Sequence, residues 1–138
     1  TGPSALKPTE QLEHIEGIID GFRAAGLEIA ADLPETYEAP ALTQLALVRI
    51  ISEGLTNALR HQGPGTHVEV ELALADAAQI TLTSTNPSPT PSEVTGSGVG
   101  LIGVEERAHT LGGKLESSGD ATKFILRAEL PMQKENRA

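Results

Sequence analysis

The chain has 138 residues, 19 acidic against 10 Lys and Arg, a formal charge of −9 and no cysteine. Such a length closes one hydrophobic core unaided, and the missing cysteines exclude a disulfide framework or a thiolate metal site. The acidic balance, with no Lys/Arg stripe, argues against nucleic acid as a partner, and no apolar run approaches the ~20 residues of a membrane span.

Three aromatics (Phe22, Tyr37, Phe124) and no Trp leave no platform for stacking on bases, so Leu, Ile, Val and Ala must build the core. An acidic domain can still take a small phosphate ligand through backbone N–H groups, a helix N-terminus and a divalent cation. The lack of cysteine fits a cytoplasmic location, in a parent protein that can itself be membrane-anchored.

Residues 1–8 carry no signal-peptide pattern and read as a linker. Residues 9–24 place Leu12, Ile15, Ile18, Ile19 and Phe22 at helical spacing, with Thr9 as N-cap and Gly26 as the stop. His14 on this helix reads as a surface residue. Leu27 to Ala31 alternates and predicts a short strand, and Asp32 to Pro40 a loop. Ala41 to His61 predicts a long helix, closed by the turn Gln62-Gly63-Pro64-Gly65. His67 to Leu74 alternates strictly, and 79–83 follows after a short turn, which predicts an antiparallel hairpin with one face on helices. Residues 84–98, rich in Pro, Ser, Thr and Gly, read by composition as a surface loop. A helix over 99–111 ends at Gly112-Gly113. Two strands follow, 114–117 and 123–130, around a turn with Gly119-Asp120, and the tail from Pro131 is expected to fray. The order α-β-α-β-β-α-β-β predicts an α+β fold, a two-layer α/β sandwich with helices on one face of a mainly antiparallel sheet. The expected domain is 9–131, with 132–138 a tail.

Two stretches invite chemistry. In ISEGLTNALRH, 51–61, a helical wheel gathers Leu47, Val48, Ile51, Leu55, Ala58 and Leu59 on a core arc. Glu53 and Asn57 fall on another arc beside Ala46, Ile50 and Gly54, where something can approach closely. A Gly inside a helix costs about 1 kcal/mol relative to Ala, and close approach is a compensation. The pair fits a solvated helix edge. It also fits a carboxylate that orients a nucleophile beside an amide oxygen for a hard cation. In GSGVGLIGVEERAHTLGG, 96–113, Gly96, Gly98 and Gly100 precede a helix, which suits an anion site but also a flexible loop end. The GK[ST] ending of a Walker loop is missing, and no strand runs into the turn as a dinucleotide fingerprint requires.

Together, ISEGLTNALRH and GSGVGLIGVEERAHTLGGKLE resemble the N box and G2 box of the ATP-binding catalytic domain of sensor histidine kinases. That superfamily includes gyrase B, MutL and the heat-shock chaperone ATPases. The form is similar to nitrate-sensor-like and desaturase-regulator-like kinases, and the likeness covers roughly residues 10–131. It implies the Bergerat-type ATP-binding fold with ATP and Mg²⁺. By this resemblance Glu53 helps activate the attacking group and Asn57 holds Mg²⁺ bridging the phosphates. Arg60 and His61 stand near the phosphates. Gly96, Gly98 and Gly100 hinge a lid and present N–H groups, with Leu101 after them. Arg107 matches the ER of the following helix, where a structural ion pair is an equal reading.

The departure is at the G1 box, where the family's Asp-x-Gly-x-Gly is absent and the chain reads LTSTNPS, 82–88. Ser84 or Asn86, depending on register, stands where the Asp would read the adenine amino group, without its charge. The lid from Asn86 to Gly96 is short and carries Pro87, Pro89 and Pro91. No dimerisation and phosphoacceptor helix pair with its His-Asp or His-Glu box is found, and His14-Ile15-Glu16 does not match. The implied function is γ-phosphoryl transfer to a His on a separate dimerisation domain, then to a response regulator, by a monomeric catalytic fragment. The alternatives are a degenerate module acting by partner binding, and an anti-sigma-factor kinase acting on Ser.

Overall fold

The computed structural model describes residues 14–90 and 99–132. Three helices and five strands follow in the expected order: α1 (Ile15–Ala24), β1 (Glu28–Asp32), α2 (Ala41–Gln62), β2 (His67–Leu74), β3 (Ala77–Thr85), α3 (Val99–Thr110), β4 (Lys114–Gly119) and β5 (Lys123–Pro131). Thr9 and Leu12, expected in the first helix, lie outside the described residues, as does the tail from residue 133. Among the described residues no helix is long and apolar enough to cross a membrane.

The strands form one sheet in the order β1-β2-β3-β5-β4. Only β1 and β2 run parallel; the other neighbours are antiparallel. Strict alternation in β2 sends Val68, Val70 and Leu72 inward and Glu69 and Glu71 to water. The register Val70↔Leu82↔Leu126 carries the inward row across β3 and β5, and the three helices cover that face alone. The fold is thus the expected α+β sandwich.

Two strands are longer than their sequences predict. β3 takes in Ala77, Ala78, Ser84 and Thr85, of which Ala and Ser are weak strand formers. It is the central strand, and ladders on both sides outweigh local preference. β4 runs on to Gly119, and Pro131 is not frayed. It pairs with Ala77 at the end of β5, and its carbonyl accepts a 2.9 Å hydrogen bond from Thr43 Oγ1 at the start of α2. At the sheet edge, Arg23 donates from Nε and Nη2 to the carbonyl of Ile29 in β1, at 3.2 and 2.9 Å. This blunts an edge that would otherwise offer acceptors to another chain.

α2 lies between α1 and α3 and packs on the sheet. Its expected core arc is shifted. Ala46 and Ile50, placed by the wheel beside Glu53 and Asn57, are 1% and 0% exposed, while Leu59 is only half-buried. The small-residue arc is therefore filled by the sheet. A Cβ on Gly54 would stand 2.7 Å from Leu82 Cδ2 and 3.1 Å from Leu126 Cδ2. The close approach that Gly54 allows is that of β3 and β5 and not of a ligand. A helical wheel gives relative angles but not the side on which the sheet lies. Gly54→Val is expected to lower unfolding free energy by about 1–3 kcal/mol through overpacking. Denaturant melts would measure this, and an unchanged midpoint would contradict the packing described.

Candidate functional site

The C-terminal half of α2 turns one side toward the start of α3 and the β4–β5 turn, and a cavity of about 320 Å³ opens between them. Asn57 and His61 are one turn apart, so both side chains share a side of α2 and face this space, with Ala58 and Gln62 beside them. Leu101, in the first turn of α3, stands opposite. Phe124, the second residue of β5, Gly119 at the end of β4, and Asp120 and Ala121 of the turn between them complete the lining. An apolar hollow with a few polar groups at its margin is the usual composition of a small-molecule site.

The cavity thus gathers Asn57, His61 and Leu101 from stretches about 40 residues apart in sequence. Glu53 lies one turn before Asn57, half-buried and outside the lining, and Arg60 is half-buried on a neighbouring position. Gly100 is in the first turn of α3. Gly96 and Gly98 fall outside the described residues, as does most of the Pro-rich segment before them.

Ser84 and Asn86, the two candidates for contact with a base, are both buried and neither lines the cavity. They tie the end of β3 to the end of α2. Asn86 Nδ2 donates to the carbonyl of Gln62 at 2.9 Å and to Thr66 Oγ1 at 3.1 Å. Its Oδ1 accepts the Ser88 N–H at 2.9 Å, and its own N–H donates to the Thr122 carbonyl. Ser84 Oγ donates to the Phe124 carbonyl, and its carbonyl accepts from Gln62 Nε2. A short polar side chain here is thus spent on buried backbone groups, which must be paired.

The same tie shapes the end of α2. Gly63, at φ +91°, turns the chain out of the helix, and a Cβ there would lie 2.5 Å from the Thr90 carbonyl oxygen. Thr90 N–H donates to Gln62 O at 2.9 Å. The chain leaving β3 is therefore drawn back over the C-terminus of α2 and held beside the cavity.

Sequence reading missed the β4–β5 turn and Phe124. Gly119-Asp120 announced a turn, and Phe124 one of three aromatics, but nothing local says that a hairpin 60 residues on meets α2. Asp120 Oδ1 accepts from the Thr122 hydroxyl at 2.8 Å, the Thr122 N–H at 2.9 Å and the Lys123 N–H at 3.2 Å. The Thr122 hydroxyl first, then the two backbone N–H groups, hold the carboxyl below its ordinary range. Among the described residues no group of three or more His, Asp or Glu side chains could hold a metal ion. A cation at Asn57 would draw its other ligands from a bound phosphate and water.

The model of the histidine kinase-, DNA gyrase B- and HSP90-like ATPases matches residues 43–134, well over half of the chain. The chain belongs to this ATPase family. No curated protein matches the sequence. Among solved structures, the histidine kinase domain of the Erythrobacter litoralis EL346 blue-light activated histidine kinase is similar at TM-score 0.67 and 20% identity. The match covers 88% of this chain and 63% of that one. The mycobacterial sensor histidine kinase MprB is similar at TM-score 0.57 and 20% identity, over 86% of this chain and 93% of that one. The histidine kinase ThkA, solved in complex with the response regulator protein TrrA, is similar at TM-score 0.64 and 16% identity, over 91% and 41%. At these identities the likeness concerns the fold, and the chain spans less than two thirds of the first of these structures.

Asn86→Asp removes both donors and sets a carboxylate against the carbonyl end of α2. It is expected to cost about 1–3 kcal/mol of unfolding free energy. Thermal or denaturant melts compare it with the wild type, and a variant of equal stability would show that the Asn86 tie is unimportant.

Proposed function

We propose that the chain is the ATP-binding catalytic domain of a sensor histidine kinase. It would deliver the γ-phosphoryl of ATP to a His on a separate dimerisation domain, from which a response regulator takes it. One observation carries this reading: Asn57 and His61 on one turn of α2 face Leu101 at the start of α3 across a 320 Å³ hollow floored by Phe124. Family membership supports nucleotide binding. Shape and donor set fit a nucleotide, since Phe124, Leu101 and Ala121 offer an apolar wall for a base. The amide of Asn57 and the imidazole of His61 sit where phosphates would pass.

Mg²⁺ supplies charge neutralisation to the phosphates when bound, and the Asn57 amide oxygen is its protein ligand in this reading. A cation matters here because a domain of charge −9 otherwise repels a polyphosphate. Arg60 lies near the same end of the helix, and Gly96, Gly98 and Gly100 would offer N–H groups from the lid. Glu53, one turn before Asn57 and outside the lining, would meet the attacking imidazole at the margin of the cavity and hold its proton. Phosphoryl transfer needs mainly positioning and charge stabilisation, which this division of labour supplies. A cytoplasmic location goes with this reading, because ATP and the response regulator are both cytoplasmic.

A second reading has one observation in its favour. The position expected to read adenine is Ser84 or Asn86; the Ser84 hydroxyl is bonded to the Phe124 carbonyl, and the Asn86 amide to Gln62, Thr66 and Ser88. A module that docks a partner without nucleotide would look the same there. Titration calorimetry with ATP and Mg²⁺ separates the two: heat and thermal stabilisation support the kinase, and a flat trace supports the docking module.

Two substitutions test the roles. Asn57→Ala is expected to weaken Mg²⁺-dependent ATP binding by about tenfold or more, the loss of one ligand of a hard cation. Glu53→Ala is expected to leave ATP affinity near wild type and to slow transfer to the cognate His segment by about a hundredfold, the scale of one general base. Wild-type binding and transfer by both variants would remove these assignments.

A further inference from the structure

We propose that Asp120, in the β4–β5 turn, is the residue that selects an amino-bearing base in the cavity, taking the place of an acid at the end of β3. This rests on the nucleotide reading above. Two sets of contacts lead to it. Ser84 and Asn86 are buried, tied to Phe124, Gln62, Thr66 and Ser88, and neither reaches the lining. Among the described residues, the polar side chains that do line it are Asn57, His61, Gln62 and Asp120. Gln62 is committed to the Ser84 carbonyl. Asn57 and His61 belong to α2. Among the described residues Asp120 alone of these stands on the opposite wall, next to Ala121 and close to Phe124, and it is the one carboxylate of the lining.

The chemistry follows from its hydrogen bonds. All three bonds that the Asp120 carboxyl accepts within the turn fall on Oδ1, so Oδ2 keeps its acceptor capacity. The carboxylate is exposed and carries its charge at neutral pH, and the Thr122 hydroxyl and the backbone N–H groups hold its pKa lower still. An ionised acceptor attracts an exocyclic amine such as the 6-amino group of adenine. It repels a 6-oxo group, whose lone pairs face its own. Charge-assisted hydrogen bonds are roughly twice as strong as neutral ones, so the carboxylate discriminates where an amide would not.

The experiment compares ATP with inosine triphosphate, which replaces the 6-amino group by an oxo group. Both are titrated in the presence of Mg²⁺ into the wild type and Asp120→Asn. The variant keeps an oxygen for the three donors of the turn, so the hairpin stays closed, and a thermal melt checks this. The wild type is expected to prefer ATP. Asp120→Asn is expected to lower the ATP-to-inosine-triphosphate affinity ratio by about three- to tenfold, mainly through weaker ATP binding, because the amide can turn to donate or accept. A ratio equal to that of the wild type, or an equal loss for both nucleotides, overturns the role of Asp120 and leaves the kinase reading standing. A wild type that binds neither nucleotide overturns both.

Discussion

The packing of α2 on β3 and β5 at Gly54 governs the rest of the structure. A helix buried between two others and a sheet has limited surface left for chemistry, and on α2 the side that carries Asn57 and His61 opens onto the cavity. The missing side chain at Gly54 lets Leu82 and Leu126 press against the helix backbone. That contact sets the height of α2 above the sheet. The depth of the cavity beyond it, floored by Phe124 two residues before Leu126 on the same inward row, depends on that height. The cost of a glycine in a helix is offset by dense packing at this level.

A set of polar bonds holds the end of α2 at the margin of the cavity. Gln62 ends α2 with a carbonyl that accepts from Asn86 Nδ2 and from Thr90 N–H, while its own amide donates to Ser84. Carbonyls at a helix C-terminus carry partial negative charge and lack intrahelical partners. A neutral amide that donates twice suits that place, and an aspartate does not. At the end of β3 the chain thus carries an amide that holds the fold.

Much of this was legible in the chain itself. The alternation of His67 to Leu74 placed β2 to the residue, and the spacing of apolar residues from Ala41 placed α2 to within one residue of its end. Glu53, Asn57 and the glycines from 96 stood out because a Glu, an Asn and three glycines interrupt apolar patterns without serving them. Their pairing, more than either stretch, marked the family. The ends of β3 and β4 were not legible, since Ala77, Ser84 and Gly119 join strands only because neighbours already present ladders to them.

The sequence by itself determined the order of elements, the inward and outward faces of the strands, and the two stretches that meet at the cavity. These depend on periods of 2.0 and 3.6 residues and on turn formers, all local. The tertiary structure alone decided which side of α2 the sheet would occupy, and that Asn86 would be spent on the end of a helix. It also decided that Asp120 and Phe124 would line a cavity together with residues of α2 some 60 positions earlier. A helical wheel or a turn has no knowledge of its neighbour's direction of approach. That direction is settled only when β5 takes its place beside β3 and brings its turn to the end of α2.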